Sequence, residues 1–272
     1  MFSLEIACEP EQREMLIADL WQLGSAGIQE LAPDRLRAFF EDDAARPRLA
    51  SMFPEAAVRS EEQQDWVERA RSDWEPIAVG SRFYLVPEWR DDPAPEDRIR
   101  IAVNPGMAFG TGMHETTQLC LEALERSVRT GMRVLDVGTG SGILAVAAGL
   151  LGAGEVWACD LDPVAVELAQ MRIAPGRVFL GSADAVATGC FDLLVANISA
   201  EAVTGLAGDL LRCLEPQGLA IVSGFELTEA ETVAAALRNQ GGEIGTFHSK
   251  GQWAAFECSR RSTQISDPPA QS

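Results

Sequence analysis

The sequence predicts an α/β protein in which a mostly parallel sheet, covered by helices, follows a small α+β domain. Three observations predict it. From residue 133 onward, short apolar or β-branched runs alternate with stretches rich in alanine and leucine, a pattern typical of a parallel sheet with helices on both faces. Before residue 60 the order is instead strand, helix, strand, strand. Between these parts, Arg90 to Arg98 has two prolines among charged residues, which is typical of a linker.

The small α+β domain is predicted over residues 1–56. Its main helix carries apolar residues at three-and-four spacing on one face, and Gly24 ends the helix just past its last turn. A second short helix is limited by Pro47. The predicted elements are strands at Phe2–Cys8, Ala26–Leu31 and Leu36–Phe40, and helices at Pro10–Leu23 and Asp42–Phe53.

The α/β domain is predicted over residues 101–260, after a linker region at 57–100. Residues 243–258 add two strand-like runs, expected to form an antiparallel pair at the edge of the sheet. The polar tail at 261–272 is expected to fray. The predicted parallel strands are Arg133–Val137, Glu155–Cys159, Arg177–Leu180, Leu193–Ala196 and Leu219–Ser223.

The composition of the chain disfavours several classes of function, among them nucleic-acid binding, membrane binding and metal binding. With 22 basic and 41 acidic side chains the net charge is −19, which disfavours binding to nucleic acid or to anionic membranes. Six cysteines are scattered without a C-x-x-C pair, and the two histidines, His114 and His248, are far apart, so no metal site is predicted. The chain shows no signal peptide, and its longest apolar run is about half a membrane span. These features predict a soluble, cytoplasmic protein.

The strongest motif is a glycine turn between a strand and a helix. The apolar run ending at Val137 leads into Gly138, Gly140 and Gly142, and the helix begins at Ile143. Glycines let the backbone approach a ligand closely. A dinucleotide fingerprint would need glycine where Ile143 stands. With Asp136 before it, the turn resembles that of class I S-adenosylmethionine-dependent methyltransferases, and a purely structural turn is the alternative.

Two aspartates, one at the end of the second predicted parallel strand and one after the third, fit the same resemblance to class I methyltransferases. Asp160 ends the second strand, 22 residues after Gly138, where a carboxylate can accept hydrogen bonds from both ribose hydroxyls. Asp162 is predicted to cap the following helix, with Pro163 as its first residue. Asp184 follows the third strand, where class I methyltransferases often place an acidic residue near the adenine amine. A second helix cap for Asp160 and a solvated loop residue for Asp184 are the alternatives.

Asn197 ends the fourth strand, at the edge where open α/β sheets bind ligands. It resembles the first residue of the [N/D]-P-P-[Y/F] tetrapeptide of amine methyltransferases, which holds the acceptor nitrogen. Ile198 and Ser199 replace the two prolines here. The alternative is that Asn197 only forms a turn.

The most specific segment is the loop at Asn104–Thr117. It contains three glycines, three threonines and a histidine, which would make a poor core and a poor surface helix. Such a loop, leading into a helix predicted at Gln118–Leu124, offers backbone donors and hydroxyls to a ligand beside the glycine turn.

These motifs together resemble the ribosomal protein L-eleven (L11) methyltransferase family, also called PrmA, over nearly the whole chain. General methyltransferases lack the long loop motif, so it is the specific part of the resemblance. The matching segments are P-G-M-A-F-G-T-G-x-H-x-T-T at 105–117, D-x-G-x-G-S-G-I-L-A at 136–145, D-x-D-P at 160–163 and A-N-I at 196–198.

The resemblance implies a Rossmann-like class I methyltransferase domain with a mostly parallel seven-stranded sheet. It implies a ferredoxin-like domain at 1–56 that captures the protein substrate. The implied reaction transfers methyl groups from S-adenosylmethionine to lysine side chains, and to the N-terminal amine, of ribosomal protein L11. A monomer without nucleic-acid or membrane partners is expected.

The site residues follow from the resemblance together with the motifs described above. Asn197 is the predicted catalytic residue, and His114 is a candidate for helping to remove the ammonium proton. Asn104 departs from the family, which commonly has an acidic residue there, and the N-terminal domain is short. The predicted cofactor contacts are Phe109, Gly110 and Thr111 in the closing loop, together with Thr117, Gly138, Gly140, Gly142, Asp160, Asp184 and Asn197.

Three other functions fit parts of the sequence. The first is a related protein-lysine methyltransferase with another target, such as an electron-transfer flavoprotein subunit. The second is a cofactor-binding protein without catalysis, against which the intact Gly138, Asp160 and Asn197 argue. The third is a nicotinamide-dependent oxidoreductase, which Ile143 disfavours.

Overall fold

The computed structural model describes residues 1–9, 13–32, 34–60, 74–104, 114–174 and 176–261. The chain forms two compact units, Met1–Trp74 and Glu75–Ser272. None of the helices in the described ranges is long and apolar enough to cross a membrane.

The first unit is an antiparallel sheet with helices. Its strands lie in the order β2-β3-β1-β4, and side chains alternate between the two faces of each strand. Phe2, Leu4 and Ile6 of β1 are therefore buried on one face, in a cluster that includes Leu20 and Leu49 from the helices. The order of elements, β-α-β-β-α-β, is that of the ferredoxin-like motif, and membership of that class stays a prediction. The elements are β1 (Phe2–Ala7), α1 (Arg13–Gln22), β2 (Gly27–Ala32), β3 (Arg35–Phe40), α2 (Arg46–Met52) and β4 (Ala57–Ser60).

The region 57–100, predicted to be a linker, contains strands of both units. Strand β4 pairs with β1. In the second unit, β5 (Ile77–Val79), β6 (Phe83–Pro87) and β7 (Ile99–Val103) form a three-stranded sheet. The proline-containing stretch Arg90–Arg98 therefore joins β6 to β7 within one unit and does not separate two domains. Buried apolar side chains of β6 and β7 pack against the helices of this unit. The hydrophobic stabilisation from this burial holds both strands in the unit, although the stretch between them is polar.

The main sheet of the second unit has seven strands in the order β10-β9-β8-β11-β12-β14-β13. The first five run parallel, while β14 is antiparallel to both of its neighbours, which confirms the predicted fold. The strands are β8 (Arg133–Val137), β9 (Glu155–Asp160), β10 (Val178–Leu180), β11 (Phe191–Asn197), β12 (Leu214–Glu226), β13 (Gly242–Lys250) and β14 (Trp253–Arg260). The helices are α3 (Glu115–Ser127), α4 (Ile143–Leu150), α5 (Pro163–Gln170), α6 (Ala200–Arg212) and α7 (Ala230–Asn239).

Apolar side chains cover both faces of this sheet. Leu135 and Leu194 pack on the face covered by α6 and α7. Val134 and Val195 pack on the opposite face, against α3 and α4. The strand order reverses between β8 and β11, and open α/β sheets bind ligands at such a switch point, outside the carboxyl ends of the strands.

Candidate cofactor and acceptor site

The glycine turn follows β8 at this switch point. Gly138 and Gly142 have φ angles of 69° and 79°, which lie in the left-handed region that favours glycine. A Cβ atom added at Gly138 would lie 2.3 Å from Cγ2 of Ile198, the residue after β11. The turn therefore needs glycine at position 138, because only a residue without a Cβ atom can pack this closely against the residue that follows β11.

Asp136 holds the turn from inside. Its side chain is fully buried, and its Oδ2 accepts hydrogen bonds from Thr139 Oγ1 at 2.7 Å and from the backbone N–H of Ala145 at 3.1 Å. Its Oδ1 is buried without a hydrogen-bond partner among the described residues. Burial raises the pKa of Asp136 to about 7, although the hydrogen bonds from Thr139 and Ala145 act in the opposite direction. One carboxyl group thus joins the turn to the first residues of α4.

The raised pKa predicts that Asp136 makes the stability of the protein depend on pH. Because the folded chain binds this proton more tightly than the unfolded chain, the contribution of Asp136 to the free energy of unfolding falls as pH rises from about 4 to about 7. We expect the melting temperature of the wild type, relative to that of Asp136→Asn, to fall between about pH 5 and about pH 8. The full effect is at most about 4 kcal/mol. Thermal melts of both proteins across this range would contradict the assignment if the two profiles ran parallel.

Asp160 lies at the end of β9 and contacts the glycine turn directly. Its Oδ2 accepts a hydrogen bond from the backbone N–H of Gly140 at 2.8 Å, and its Oδ1 accepts one from Asp162 N at 3.0 Å. The cap of α5 is Asp162, whose Oδ1 accepts from Val164 N at 2.9 Å. The alternative that Asp160 is the helix cap is therefore wrong. An ionised carboxylate has about four acceptor positions, so two remain for a ligand.

Asn197 is the last residue of β11, and its side chain crosses to helix α3. Its Nδ2 donates a hydrogen bond to Oγ1 of Thr117 at 3.3 Å. Thr117 is buried in the first turns of α3. The cap of the next helix, α6, is Ser199. The Asn197 amide thus contacts a residue 80 positions earlier in the chain.

His114 and Trp253 meet at the start of α3. The Nδ1 of His114 caps α3 by accepting a hydrogen bond from Thr116 N at 3.3 Å, and it lies 2.8 Å from Thr116 Oγ1. The His114 ring packs edge-on against Trp253, with 4.6 Å between the ring centroids. The sequence does not single out Trp253, the first residue of β14, because a lone tryptophan carries no motif.

The remaining predicted residues have different positions. Asp184 is exposed in a short turn after β10, at the same end of the sheet as Asp160. Phe109, Gly110 and Thr111 lie outside the described residues.

The sequence of the chain matches a family of known proteins. Residues 35–261 match the model of the family described as "Ribosomal protein L11 methyltransferase (PrmA)". The chain belongs to the ribosomal protein L11 methyltransferase family. The family resemblance predicted from the motifs is thus confirmed.

Individual members of this family show the same likeness. The ribosomal protein L11 methyltransferase of Burkholderia multivorans is 40% identical over 243 residues, which are 89% of this chain and 80% of that protein. That of Ralstonia pickettii is 43% identical over 208 residues, which are 76% of this chain and 70% of that protein. The crystal structure of ribosomal protein L11 methylase from Lactobacillus delbrueckii subsp. bulgaricus superposes with a TM-score of 0.63 at 33% identity, and covers 70% of this chain and 99% of that chain.

Proposed function

We propose that the protein transfers methyl groups from S-adenosylmethionine to amino groups of ribosomal protein L11. The hydrogen bond between Asn197 and Thr117 carries the proposal, because it fixes an amide at the carboxyl end of β11, the strand next to β8 and its glycine turn. Membership of the PrmA family adds the substrate that the names of the relatives state. Since that substrate is a ribosomal protein, the proposal places the reaction in the cytoplasm. It further takes the enzyme to be a monomer, and the net charge of −19 disfavours contact with nucleic acid.

The residues around Asp160 fit an adenosyl group. Asp160 keeps acceptor capacity for ribose hydroxyls after its two backbone contacts. Leu161 follows it in the chain with 74% of its surface exposed, and Leu180, opposite Asp160 in β10, is 60% exposed. Exposed apolar side chains beside a carboxylate suit an aromatic base attached to a sugar. Gly138, Gly140 and Thr117 would contact the methionine part, and Asp184 would contact the adenine amine.

When bound, S-adenosylmethionine supplies a methyl group on a positively charged sulfur. Transfer to an amine is an in-line displacement, so the residues of the chain mainly need to position the acceptor and exclude water. A lysine ammonium has a pKa near 10.4 and must lose a proton first. The Asn197 side chain would orient the neutral nitrogen by hydrogen bonding. The His114–Trp253 pair would form a wall of the acceptor site, because it lies at the start of the helix that carries Thr117.

The experiment that tests the function uses labelled S-adenosylmethionine and ribosomal proteins from a strain that lacks the enzyme. We expect label in L11, on lysine side chains or on the N-terminal amine. Label in a different protein would favour a related lysine methyltransferase. Thermal stabilisation by NAD and not by S-adenosylhomocysteine would favour an oxidoreductase and contradict the proposal.

Asp160→Ala is expected to weaken binding of S-adenosylhomocysteine about tenfold or more, because two ribose hydroxyls would lose a charged acceptor. Asp162→Ala is the matched control, since it removes a carboxylate two residues away whose contact is the cap of α5. That change should cost about 1 kcal/mol of stability and leave the affinity unchanged. Titration calorimetry that gives Asp160→Ala the wild-type dissociation constant would refute the assignment.

A further inference from the structure

Arg172, which follows α5, joins two distant parts of the second unit. Its Nη1 donates a hydrogen bond to the carbonyl oxygen of Ser141 at 3.1 Å, and its Nη2 donates one to the carbonyl oxygen of Ala102 at 2.7 Å. Ser141 lies in the glycine turn, and Ala102 lies in β7. The sequence patterns gave no indication of this residue, because its partners are 31 and 70 positions away.

Strand β7 is at the edge of its sheet, and Arg172 occupies that edge. The N–H of Ile99 donates to the carbonyl of Arg82, just before β6, and the carbonyl of Val103 accepts from the N–H of Glu88, just after β6, on the same side of β7. Peptide groups alternate along a strand, so the carbonyl of Ala102 points to the free edge. The guanidinium group supplies the donor that a neighbouring strand would otherwise supply.

In the part of the chain that the structure describes, Arg172 bonds to carbonyl oxygens and forms no ion pair. Burial lowers the pKa of Arg172, and the nearby charge of Glu88 acts in the opposite direction. The Glu88 carboxylate accepts a hydrogen bond from Asn104 Nδ2 at 3.0 Å, at the first residue after β7. Partial burial of the guanidinium cation costs desolvation free energy. The two hydrogen bonds to carbonyl oxygens offset that cost.

We propose that Arg172 is a positioning residue for cofactor binding, which fixes β7 against the glycine turn. The planar guanidinium group presents two donors in a fixed geometry, and so it can span two carbonyl groups that a lysine ammonium cannot span. This inference rests on the proposed function, because the glycine turn, which Arg172 contacts through Ser141, is predicted to contact S-adenosylmethionine.

The test compares Arg172→Met and Arg172→Lys in the full chain. We expect Arg172→Met to raise the KM for S-adenosylmethionine and the dissociation constant of S-adenosylhomocysteine about tenfold. The KM for L11 should stay unchanged, and kcat at saturating cofactor should change little. Arg172→Lys should lie between Arg172→Met and the wild type, since it keeps the charge and one donor contact.

Arg177→Met is the matched control. Arg177 pairs with Glu155 at 2.7 Å and lies over the Trp157 ring, away from the glycine turn. This variant should bind S-adenosylhomocysteine as the wild type does.

Two results would overturn the inference, and they can be told apart. If the wild type binds no S-adenosylhomocysteine, the proposed function fails and this inference fails with it. If the wild type binds it and both Arg172 variants bind equally well, only the positioning role is wrong. A merely structural role would lower the folded fraction, and so kcat, without raising the KM for the cofactor. If Arg172→Met does not fold, the test uses Arg172→Lys alone. A wild-type KM for S-adenosylmethionine and a wild-type dissociation constant of S-adenosylhomocysteine in that variant would then refute the positioning role.

Discussion

Asn197→Ala is expected to slow methyl transfer about a hundredfold in a single turnover at saturating cofactor, because losses of positioning have effects of this size. The Asn197 side chain sits at the end of β11 and donates to Thr117 at 3.3 Å. In the proposed mechanism, removing the amide leaves the acceptor nitrogen without its orienting partner. Saturating cofactor masks any weaker binding, so the loss reports on alignment.

Two further variants give this measurement its controls. Asn239→Ala removes an exposed asparagine at the end of α7 and should leave the rate unchanged. Asn197→Asp keeps the size of the side chain and adds a negative charge beside the amine. That charge would favour the ammonium form and raise its pKa, which should move the rate profile to higher pH. A wild-type single-turnover rate for Asn197→Ala, with an unmoved pH profile for Asn197→Asp, would return Asn197 to the role of a turn former.

Deleting residues 1–74 is expected to abolish methylation of L11 while leaving the affinity for S-adenosylhomocysteine unchanged. Every predicted cofactor contact lies beyond residue 100, and the boundary between the compact units follows Trp74. A cut after residue 56 would leave β4 without its partner β1. The deletion therefore removes the whole unit to which we assign substrate capture.

Cofactor binding by the shortened chain is the internal control for the deletion. Retained affinity, measured by calorimetry, shows that the remaining unit is folded. If the shortened chain binds S-adenosylhomocysteine and methylates L11 at the full rate, the assignment of substrate capture to the first unit is wrong.

The elements that hold the glycine turn and Asp160 were predictable because their signals are local. The second parallel strand is predicted to end at Asp160, and β9 does end there, at Glu155–Asp160. Helix α5 begins at Pro163 with Asp162 as its cap, as the D-x-D-P pattern predicts. Apolar runs, glycines and caps act over a few residues, so a single sequence can reveal them.

Contacts between distant segments could not be predicted in the same way. The packing of Ile198 on Gly138 and the meeting of His114 with Trp253 depend on the order of strands in the sheet. The prediction of a linker over residues 57–100 is wrong for a related reason. The prolines and charges of Arg90–Arg98 indicate a loop, but they do not show whether the loop joins two domains or two strands of one sheet.

The most direct test of the account is the mass of purified L11 after incubation with this protein and S-adenosylmethionine. The account predicts that L11 gains methyl groups with wild-type enzyme, that the gain slows with Asn197→Ala, and that peptide mapping places the groups on amine nitrogens. Unmodified L11 in the presence of wild-type protein that binds S-adenosylhomocysteine would contradict it.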